Sequence, residues 1–381
     1  MKRIGILLIV CMLLTLLPAP AMAAGPEVAG KSALLMDMET GTVLYAQNEH
    51  ARLAPASVTK VMTMLLIMEA IDDGRIGWDD TVIASEAAAA KGGSQIYLKV
   101  GESMTVTDMV KSIAVSSAND CACAMAEHIA GSESAFVELM NKRAEELGMQ
   151  DTHFVNCTGL DDEENAREHL TSAYDIALMS RELMKNHPDI TKFTTIWMDT
   201  VRGGAFGLSN TNKLVRFYPG ATGLKTGFTS GAGYCLSATA ERDGMGLIAV
   251  VMGCETSKDR FAACKQLLDY GFANYALVAP EVSENAVPVK LGTSDFVSAV
   301  PAEFPKLLVD KAQKNQVQIL TELEETVSAP VSKGQKLGMM TIKVGEQTIR
   351  QIPMVAEEGV ARLTWWEVFL RIFRKVAMSG E

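Results

Sequence analysis

The chain has 381 residues, of which 48% are hydrophobic and 21% are charged, and its formal net charge is −11. This hydrophobic content excludes an intrinsically disordered protein, and the acidic charge balance argues against nucleic acid as a partner. The length predicts two domains, with enough chain for a well-buried core.

The first residues have the pattern of an export signal. Lys2 and Arg3 precede a nearly unbroken apolar run from Ile4 to Leu17, and a cleavage-type triplet follows at Ala21-Met22-Ala23. The run is shorter than the roughly 20 apolar residues that a membrane-spanning helix needs. We therefore expect residues 1–23 to be a signal peptide and the mature chain to be exported.

The next segment predicts a strand pair followed by a central helix. Ser32 to Met38 and Thr42 to Gln47 read as two short strands joined by a tight turn. Pro55 marks a break, and the stretch from Val58 to Ile71 is apolar on nearly every side. Such a helix is buried at the centre of its domain, with Ser57 at its N-terminus.

Helices fill the middle of the chain and strands return after them. The predicted helices are Val106 to Val115, Asn119 to Ala130, Ser134 to Leu147 and Ser172 to Lys185. The predicted strands are Thr222 to Thr229, Tyr234 to Glu241 and Gly246 to Gly253, with a closing helix from Asp259 to Asn274. Strands at both ends and helices between them predict an α+β domain over residues 24–279, an antiparallel sheet packed on a helical cluster.

After a linker near Val278 to Val282, short alternating segments with Pro and Gly between them predict a small all-β domain over 282–357. Its predicted strands are Val287 to Lys290, Val317 to Leu323, Lys336 to Val344 and Glu346 to Pro353.

The last segment, 361–378, predicts an amphipathic helix. Its apolar face consists of Leu363, Trp366, Phe369, Leu370, Phe373 and Val376, and its charged residues are Glu367, Arg371, Arg374 and Lys375. These charges are too many for a membrane span, but such a helix lies well in a lipid interface. Docking on the protein's own core is the alternative.

Three short motifs occur in order along the first domain: Ser57-Val58-Thr59-Lys60, Ser117-Ala118-Asn119 and Lys225-Thr226-Gly227. The first and third patterns each occur once, whereas S-x-N also occurs at Ser283-Glu284-Asn285 and is weak alone. In this order the trio is the signature of the serine acyl-transfer sites of penicillin-binding proteins and class A β-lactamases.

The first motif supplies a nucleophile and its base. A serine hydroxyl is a poor nucleophile until a neighbouring group takes its proton. Lys60 follows Ser57 by about one helical turn, and burial lowers the pKa of a lysine so that its neutral amine can act as the base. The alternative is a solvated surface lysine.

The second motif predicts groups that act on the leaving amine and on the substrate peptide. Ser117 can relay a proton to the leaving amine, and Asn119 can hydrogen-bond the substrate. Helix capping alone would also explain Ser and Asn at this position.

The third motif predicts a strand at the edge of the cleft. Lys225 supplies positive charge near Ser117, and Thr226 offers a hydroxyl to a substrate carboxylate. Gly227 leaves room for a peptide to approach the backbone. The backbone N–H groups of Ser57 and Phe228 are the expected oxyanion hole.

Six of the seven cysteines follow the predicted signal, in apolar settings and without disulfide-framework spacing, which favours buried free thiols. A zinc site at Cys121, Cys123 and His128 matches no standard ligand spacing, so we predict no metal and no cofactor.

The chain resembles the low-molecular-mass penicillin-binding proteins, the serine-type D-alanyl-D-alanine carboxypeptidases. Beyond the trio, the resemblance rests on Leu53-Ala54-Pro55-Ala56-Ser57, Gly159-Leu160, His169-Leu170-Thr171-Ser172-Ala173-Tyr174-Asp175 and Ala232-Gly233-Tyr234. Cys157 departs from it, because many members have proline there.

The resemblance implies a β-lactamase/transpeptidase-like catalytic domain, a small β domain and a C-terminal membrane anchor. It implies Ser57 as nucleophile, Lys60 as base and Arg260 as the residue that binds the terminal carboxylate, although a helix-capping salt bridge would also explain Arg260. The implied activity removes the terminal D-alanine from peptidoglycan stem pentapeptides at the outer face of the cytoplasmic membrane, with β-lactams as inhibitors.

Two alternatives stay open at this point. A β-lactamase would need a dedicated deacylating glutamate, for which Glu163, Glu164 and Glu168 are candidates. A non-catalytic wall-binding protein would keep the fold without turnover.

Overall fold

A computed structural model of the protein describes residues 25–162, 165–279 and 285–378, with the backbone alone for 374–378. The predicted signal peptide 1–23, Glu163, Glu164 and most of the predicted linker lie outside the described residues. The chain divides into two compact units. The first contains residues up to Glu241 together with Gly246–Gly271, and the second contains Arg242–Met245 and the residues from Phe272 onward.

In its described residues, the first unit combines nine strands with a group of helices. Its strands are β1 Ser32–Asp37, β2 Val43–Gln47, β3 Thr81–Ile83, β4 Ser103–Thr105, β5 Met198–Val201, β6 Phe206–Ser209, β7 Ala221–Thr229, β8 Gly233–Arg242 and β9 Met245–Cys254. Its helices are α1 Lys60–Asp72, α2 Glu86–Ala89, α3 Val106–Ser116, α4 Asn119–Ala130, α5 Glu133–Glu146, α6 Ala173–Asn186, α7 Thr191–Thr194, α8 Leu214–Phe217 and α9 Ser257–Asn274.

Strands from both ends of this unit form one antiparallel sheet in the order β2-β1-β9-β8-β7. In its centre, Leu34 lies opposite Val250, and every residue of β1 is buried. The predicted α+β arrangement of a sheet packed with a helical cluster is confirmed. The two-stranded sheets β3–β4 and β5–β6 were not predicted, because strands of three and four residues are too short to show a recognisable alternating pattern.

The central helix α1 is buried along its length, since every residue from Lys60 to Met68 lies in the core. The predicted start of this helix at Val58 is wrong. Ala56–Thr59 forms a 3₁₀ turn, and the α-helix begins at Lys60. The turn opens with Ala56 in the left-handed region at φ 48°, a conformation unusual for a residue with a side chain. Ser57 therefore lies in the tight turn that immediately precedes the helix.

The second unit contains β10 Tyr275–Val278, β11 Asn285–Lys290, β12 Phe296–Pro301, β13 Leu307–Asp310, β14 Val317–Leu323, β15 Val327–Ser328, β16 Lys336–Val344 and β17 Gln347–Ala356. Six strands form a sheet in the order β14-β16-β17-β12-β11-β15, and β10 pairs with β13. Its core includes Val287, Leu337, Ile342, Ile352 and Met354, all fully buried. The all-β character of this unit is as predicted, but β10, β12, β13 and β15 were missed.

A helix, α10 Trp365–Met378, follows the second sheet. Thr364 and Glu367 form a capping box at its start, because each side chain accepts a hydrogen bond from the other's backbone N–H. Arg371 pairs with Asp295 of the same unit. Large apolar side chains of this helix are exposed, among them Trp365 at 75% and Phe373 at 63%. Among the helices described, none is both long and apolar enough to cross a membrane.

Candidate active site

The first motif brings a serine and a lysine into direct contact. Lys60 Nζ lies 3.0 Å from Ser57 Oγ and donates a second hydrogen bond to the carbonyl of Thr158 at 2.8 Å. The lysine side chain is fully buried at the start of α1. Burial lowers the pKa of Lys60 from its ordinary 10.5 to about 7, against the opposing charges of Cys157 and Asp120. Near neutral pH, a large share of Lys60 therefore carries a lone pair beside the Ser57 hydroxyl.

A loop from Asn156 to Leu160 holds the lysine in place. The Asn156 side-chain oxygen accepts hydrogen bonds from the backbone N–H groups of Thr158 at 3.2 Å and Gly159 at 2.7 Å. Gly159 has φ 80°, and a β-carbon there would lie 1.9 Å from the carbonyl oxygen of Ala56. Glycine is therefore required where this loop passes the nucleophile turn.

Cys157 belongs to the same loop, and its departure from the family pattern has a structural role. Its backbone N–H donates to Glu133 Oε1 at 3.2 Å, and its thiol donates to the same oxygen at 3.1 Å. Lys91 Nζ pairs with the other carboxylate oxygen of Glu133 at 2.7 Å. A proline has no N–H and could not make the first of these bonds. The loop is thus anchored through a half-buried carboxylate.

The second motif lies at the junction of α3 and α4. Ser117 is nearly fully buried and has φ 65°, a left-handed conformation that ends α3. Asn119 begins α4, and its side-chain amide nitrogen donates to the carbonyl of Gly92 at 2.7 Å. The side-chain oxygen of Asn119 is buried and has no hydrogen-bond partner among the residues that the structure describes. A buried acceptor without a partner costs free energy unless a ligand supplies a donor.

The third motif runs along the edge strand β7. Lys225 is buried, and its Nζ donates to the carbonyl of Thr226 at 2.9 Å. Burial, and then the charges of Lys60 and Arg260, hold the pKa of Lys225 well below its ordinary value. Arg260 reaches the same strand, since its guanidinium donates to the carbonyl of Gly227.

Thr226 connects the third motif to the end of α3. Its hydroxyl donates to Thr211 Oγ1 at 2.7 Å, and the backbone N–H of Thr211 donates to the carbonyl of Val115 at 3.1 Å. Thr211 therefore ties β7 to the turn that carries Ser117. This role of Thr211 could not be predicted from the three motifs, because a threonine in a loop belongs to no recognisable pattern.

Gly227 faces the nucleophile turn. A β-carbon on Gly227 would lie 2.6 Å from the carbonyl oxygen of Pro55 and 3.1 Å from the backbone nitrogen of Ser57. The absence of a side chain lets β7 pass directly against Ser57, whereas the sequence predicted that the glycine makes room for a peptide. Phe228 follows, 53% exposed, and its ring stacks on Tyr234 with centroids 4.2 Å apart.

Arg260 approaches β7 from α9. Its Nη1 donates to the carbonyl of Gly227 at 2.8 Å, and its guanidinium lies over the rings of Tyr234 and Phe261, at 5.2 and 4.9 Å from their centroids. Only 8% of the residue is exposed, and within the described part of the chain its buried Nε has no hydrogen-bond partner. The alternative of a helix-capping salt bridge does not match these contacts, which are to a backbone carbonyl and two rings.

Two further residues of the site were not assigned a role from the sequence. His169 Nε2 lies 2.7 Å from Thr59 Oγ1 in the nucleophile turn. Asp120, next to Asn119, accepts backbone hydrogen bonds from Ile96 at 3.1 Å and Leu98 at 3.0 Å, which orders the loop beside the second motif. His169 belongs to a segment that carried the family resemblance, so a sequence signal for it existed.

One group of metal-ligating side chains lies close together elsewhere in the first unit. Within the described parts of the chain, the group of three whose ligand atoms lie within 4.8 Å of one another is Glu69, Glu182 and His187. Arg143 already holds both carboxylates, at 2.7 Å from Glu69 and 2.6 Å from Glu182. The six described cysteines are buried free thiols, and Glu168, one candidate for a deacylating glutamate, is exposed.

A buried lysine in contact with a half-buried serine, an asparagine with an open acceptor and an edge strand that carries Lys225 define a site of the serine acyl-transfer class. Residues 19–256 match the family model described as D-alanyl-D-alanine carboxypeptidase, and residues 274–362 match that of the penicillin-binding protein 5 C-terminal domain. The chain belongs to the D-alanyl-D-alanine carboxypeptidase family.

Individual relatives cover between 65% and 95% of this chain. The D-alanyl-D-alanine carboxypeptidase DacF of Bacillus subtilis (strain 168) is 44% identical over 376 residues, which cover 95% of each chain. Penicillin binding protein 5 from Haemophilus influenzae is 30% identical with a TM-score of 0.75, and the match covers 89% of this chain and 100% of that one. Penicillin-binding protein D2 from Listeria monocytogenes, in its ampicillin-bound form, is 31% identical with a TM-score of 0.59 over 65% of this chain and 100% of its own.

Proposed function

We propose that the protein is a serine-type D-Ala-D-Ala carboxypeptidase that removes the terminal D-alanine from peptidoglycan stem pentapeptides and is acylated by penicillin. The observation that carries this proposal is the contact of Lys60 Nζ with Ser57 Oγ at 3.0 Å, in a setting where burial lowers the lysine pKa to about 7. Family membership supports the same activity.

The first half of the reaction forms an acyl-enzyme. Neutral Lys60 takes the hydroxyl proton of Ser57 as the serine oxygen attacks the carbonyl of the D-Ala–D-Ala bond. The tetrahedral oxyanion accepts hydrogen bonds from the backbone N–H groups of Ser57 and Phe228. The amine of the terminal D-alanine receives a proton through Ser117, the carbon–nitrogen bond breaks, and D-alanine leaves.

The second half restores the enzyme. Water attacks the ester carbonyl and gives a proton to Lys60. Lys60 passes this proton to Ser57 Oγ as the ester bond breaks, and the stem peptide leaves with one D-alanine at its end. A β-lactam acylates Ser57 by the same steps as the first half of the reaction. Its amine does not leave, because ring opening keeps it attached to the acyl group. The drug therefore stays on Ser57 for as long as water is slow to attack.

Substrate contacts come from the two other motifs and from Arg260. The open acceptor of Asn119 suits a substrate peptide N–H. Lys225 and Arg260 provide charge and donors for the terminal carboxylate, and the Thr226 hydroxyl can join them by turning its hydrogen from Thr211 Oγ1 to the substrate. A peptide can add to β7 as an extra strand, with Gly227 and Phe228 along its path.

Replacing the nucleophile tests the proposal. We would incubate the detergent-solubilised full chain with benzylpenicillin, follow the intact mass with peptide mapping, and assay D-alanine release from a peptide ending in D-Ala-D-Ala. We expect a lasting adduct on Ser57 and D-alanine release, both lost in Ser57→Ala and retained in Ser298→Ala, which changes an exposed serine of β12. Rapid drug hydrolysis without an adduct would instead indicate a β-lactamase, and an inert protein would indicate a non-catalytic wall binder.

We further propose that the enzyme is exported and that α10 attaches it to the outer face of the cytoplasmic membrane. Trp366, Phe369 and Phe373 are 54%, 50% and 63% exposed, which suits burial in a lipid interface. Flotation with anionic phospholipid vesicles tests this. Phe369→Glu should release the protein from vesicles, whereas Phe304→Glu, at a 71% exposed phenylalanine outside α10, should not. Equal binding of both variants would contradict the anchor.

A further inference from the structure

We propose that His169 is a positioning residue of the acylation step, which orients the backbone N–H of Ser57 through the hydroxyl of Thr59. This inference rests on the proposed function and adds a residue that does not touch the substrate. Its basis is a chain of three buried hydrogen-bonded groups that ends at the peptide bond preceding the nucleophile.

The hydrogen bonds of His169 assign its neutral form. The backbone N–H of Val155 donates to His169 Nδ1 at 3.1 Å, so Nδ1 is an acceptor and the ring hydrogen is on Nε2. Nε2 therefore donates to Thr59 Oγ1, 2.7 Å away. The Thr59 hydroxyl in turn donates to the carbonyl oxygen of Ala56 at 2.8 Å. The chain runs in one direction, from the imidazole to the Ala56 carbonyl.

The Ala56 carbonyl and the Ser57 N–H are the two ends of one planar peptide group. Because that group is rigid, a bond that orients the carbonyl also sets the direction of the N–H on the opposite side. A donor to the carbonyl also polarises the peptide group, which strengthens the hydrogen bond that its N–H can donate. The Ser57 N–H is one of the two proposed oxyanion donors, so its direction bears on the transition state.

This peptide group lies in a conformation that needs support. Ala56 has φ 48°, which a residue with a β-carbon adopts at an energetic cost. Its carbonyl oxygen is packed so closely on Gly159 that a β-carbon there would lie 1.9 Å away. Packing limits the space for the carbonyl, and the Thr59 hydroxyl supplies the hydrogen bond within that space.

The surroundings keep His169 neutral, which allows its hydrogen bonds to hold the tautomer with the hydrogen on Nε2. Burial, and then the nearby charges of His153 and Lys60, lower the pKa of His169 to about 4. The ring also packs edge-on against Phe154, with centroids 5.6 Å apart. At neutral pH, the Nδ1 lone pair thus remains available to Val155 and the Nε2 hydrogen to Thr59.

Two pairs of substitutions test the proposal on the full chain. His169→Gln places an amide N–H near the position of Nε2, whereas His169→Asn reaches only the position of Nδ1. Thr59→Ser keeps the hydroxyl, and Thr59→Val removes it at nearly the same shape. His153→Gln is the matched control, since it changes an exposed histidine on the neighbouring segment. The readouts are the rate constant of acylation by a reporter β-lactam, kcat and KM for D-alanine release, and the thermal midpoint.

We expect His169→Asn and Thr59→Val to lower the acylation rate constant and kcat by about 10- to 100-fold, since one oxyanion donor is misdirected. KM should change by less than about threefold, because the groups that bind the substrate are untouched. His169→Gln, Thr59→Ser and His153→Gln should stay within about threefold of the parent. The double variant His169→Asn/Thr59→Val should be no slower than Thr59→Val, since both changes break one chain.

Equal losses in His169→Gln and His169→Asn, or additive losses in the double variant, would overturn the proposal, as would unchanged acylation in Thr59→Val. If His169→Asn does not fold, the comparison of Thr59→Val with Thr59→Ser decides by itself. Failure of the proposed function would appear separately, as a parent protein that neither binds penicillin nor releases D-alanine.

Discussion

Gly227 lies so close to Pro55 that a β-carbon on the glycine would be 2.6 Å from the proline carbonyl oxygen. The third motif is therefore in direct contact with the turn that carries Ser57. This contact aligns the expected oxyanion donors, because it joins the strand that holds Phe228 to the nucleophile turn. The glycine of this motif is needed by the protein's own packing before any substrate arrives.

Replacing Gly227 by alanine should separate these two segments. Because the nearest atoms are backbone atoms, which cannot rotate away, we expect at least about 100-fold slower acylation by penicillin. Overpacking should also lower the free energy of unfolding by about 1–3 kcal/mol. Gly231→Ala is the matched control, since a β-carbon there meets a side-chain oxygen of Asp161 at an ordinary 3.4 Å. Equal rates for the two variants would show that the close approach is not required.

The lowered pKa of Lys60 predicts the pH dependence of acylation. Only the neutral amine accepts a proton, so the acylation rate constant should rise about tenfold per pH unit below pH 7 and level off above it. Lys60→Arg should lose at least about 100-fold at every pH, because a guanidinium stays protonated. Lys185→Arg, at an exposed salt bridge, should retain the parent profile. A flat profile between pH 5 and 9 would contradict Lys60 as the base.

Much of the fold could be predicted where side chains carry a pattern. Helix α4 has the predicted bounds, because Asn119 begins it and Gly131 ends it in the left-handed conformation. The central helix was placed from its apolar run, but its start was misjudged by two residues. Ala56 adopts a left-handed conformation without being glycine, and no propensity rule predicts that. In the second unit, β13 has only four residues and β12 ends in proline, which hid both strands.

The site was predictable in its motif residues and much less so in what holds them. Lys60, Ser117 and Lys225 are recognisable because their chemistry depends on side-chain type. The carbonyl of Thr158 that binds Lys60, by contrast, is a backbone group, and every residue has one. Thr211 lies in a loop whose contacts depend on tertiary structure alone. Contacts of this kind can be recognised only in the folded structure, where segments distant in sequence lie side by side.

Arg260 should govern the requirement for a free carboxylate on the substrate. We would compare a peptide ending in D-Ala-D-Ala with its C-terminal amide. The parent should prefer the acid, and Arg260→Gln should lose about 100-fold in kcat/KM on the acid while changing little on the amide. The amide also serves as the control, because Arg260 supports the Gly227 carbonyl and structural damage would slow both substrates. Equal losses on both substrates would mean that Arg260 only supports strand β7 and does not bind the substrate carboxylate.

The buried imidazole of His169 predicts a specific sensitivity to acid. Burial, and then the charges of His153 and Lys60, lower its pKa from 6.5 to about 4. Between these two pH values, the unfolded chain binds a proton at His169 and the folded chain does not. This contribution to stability is complete above pH 6.5 and is lost as the pH falls from 6.5 to 4. This contribution to the unfolding free energy is about 3 kcal/mol, because a difference of one in pKa between the folded and unfolded chain corresponds to about 1.4 kcal/mol.

Urea unfolding at a series of pH values checks this, with His169→Gln as the variant that cannot titrate. Between pH 6.5 and 4, the parent should lose about 3 kcal/mol more unfolding free energy than His169→Gln. Contributions from carboxyl groups cancel in that difference, since both proteins contain them. Thr59→Val keeps the imidazole buried and should retain the acid sensitivity of the parent. Parallel curves for the parent and His169→Gln would mean that His169 is protonated as readily in the folded chain as in the unfolded one.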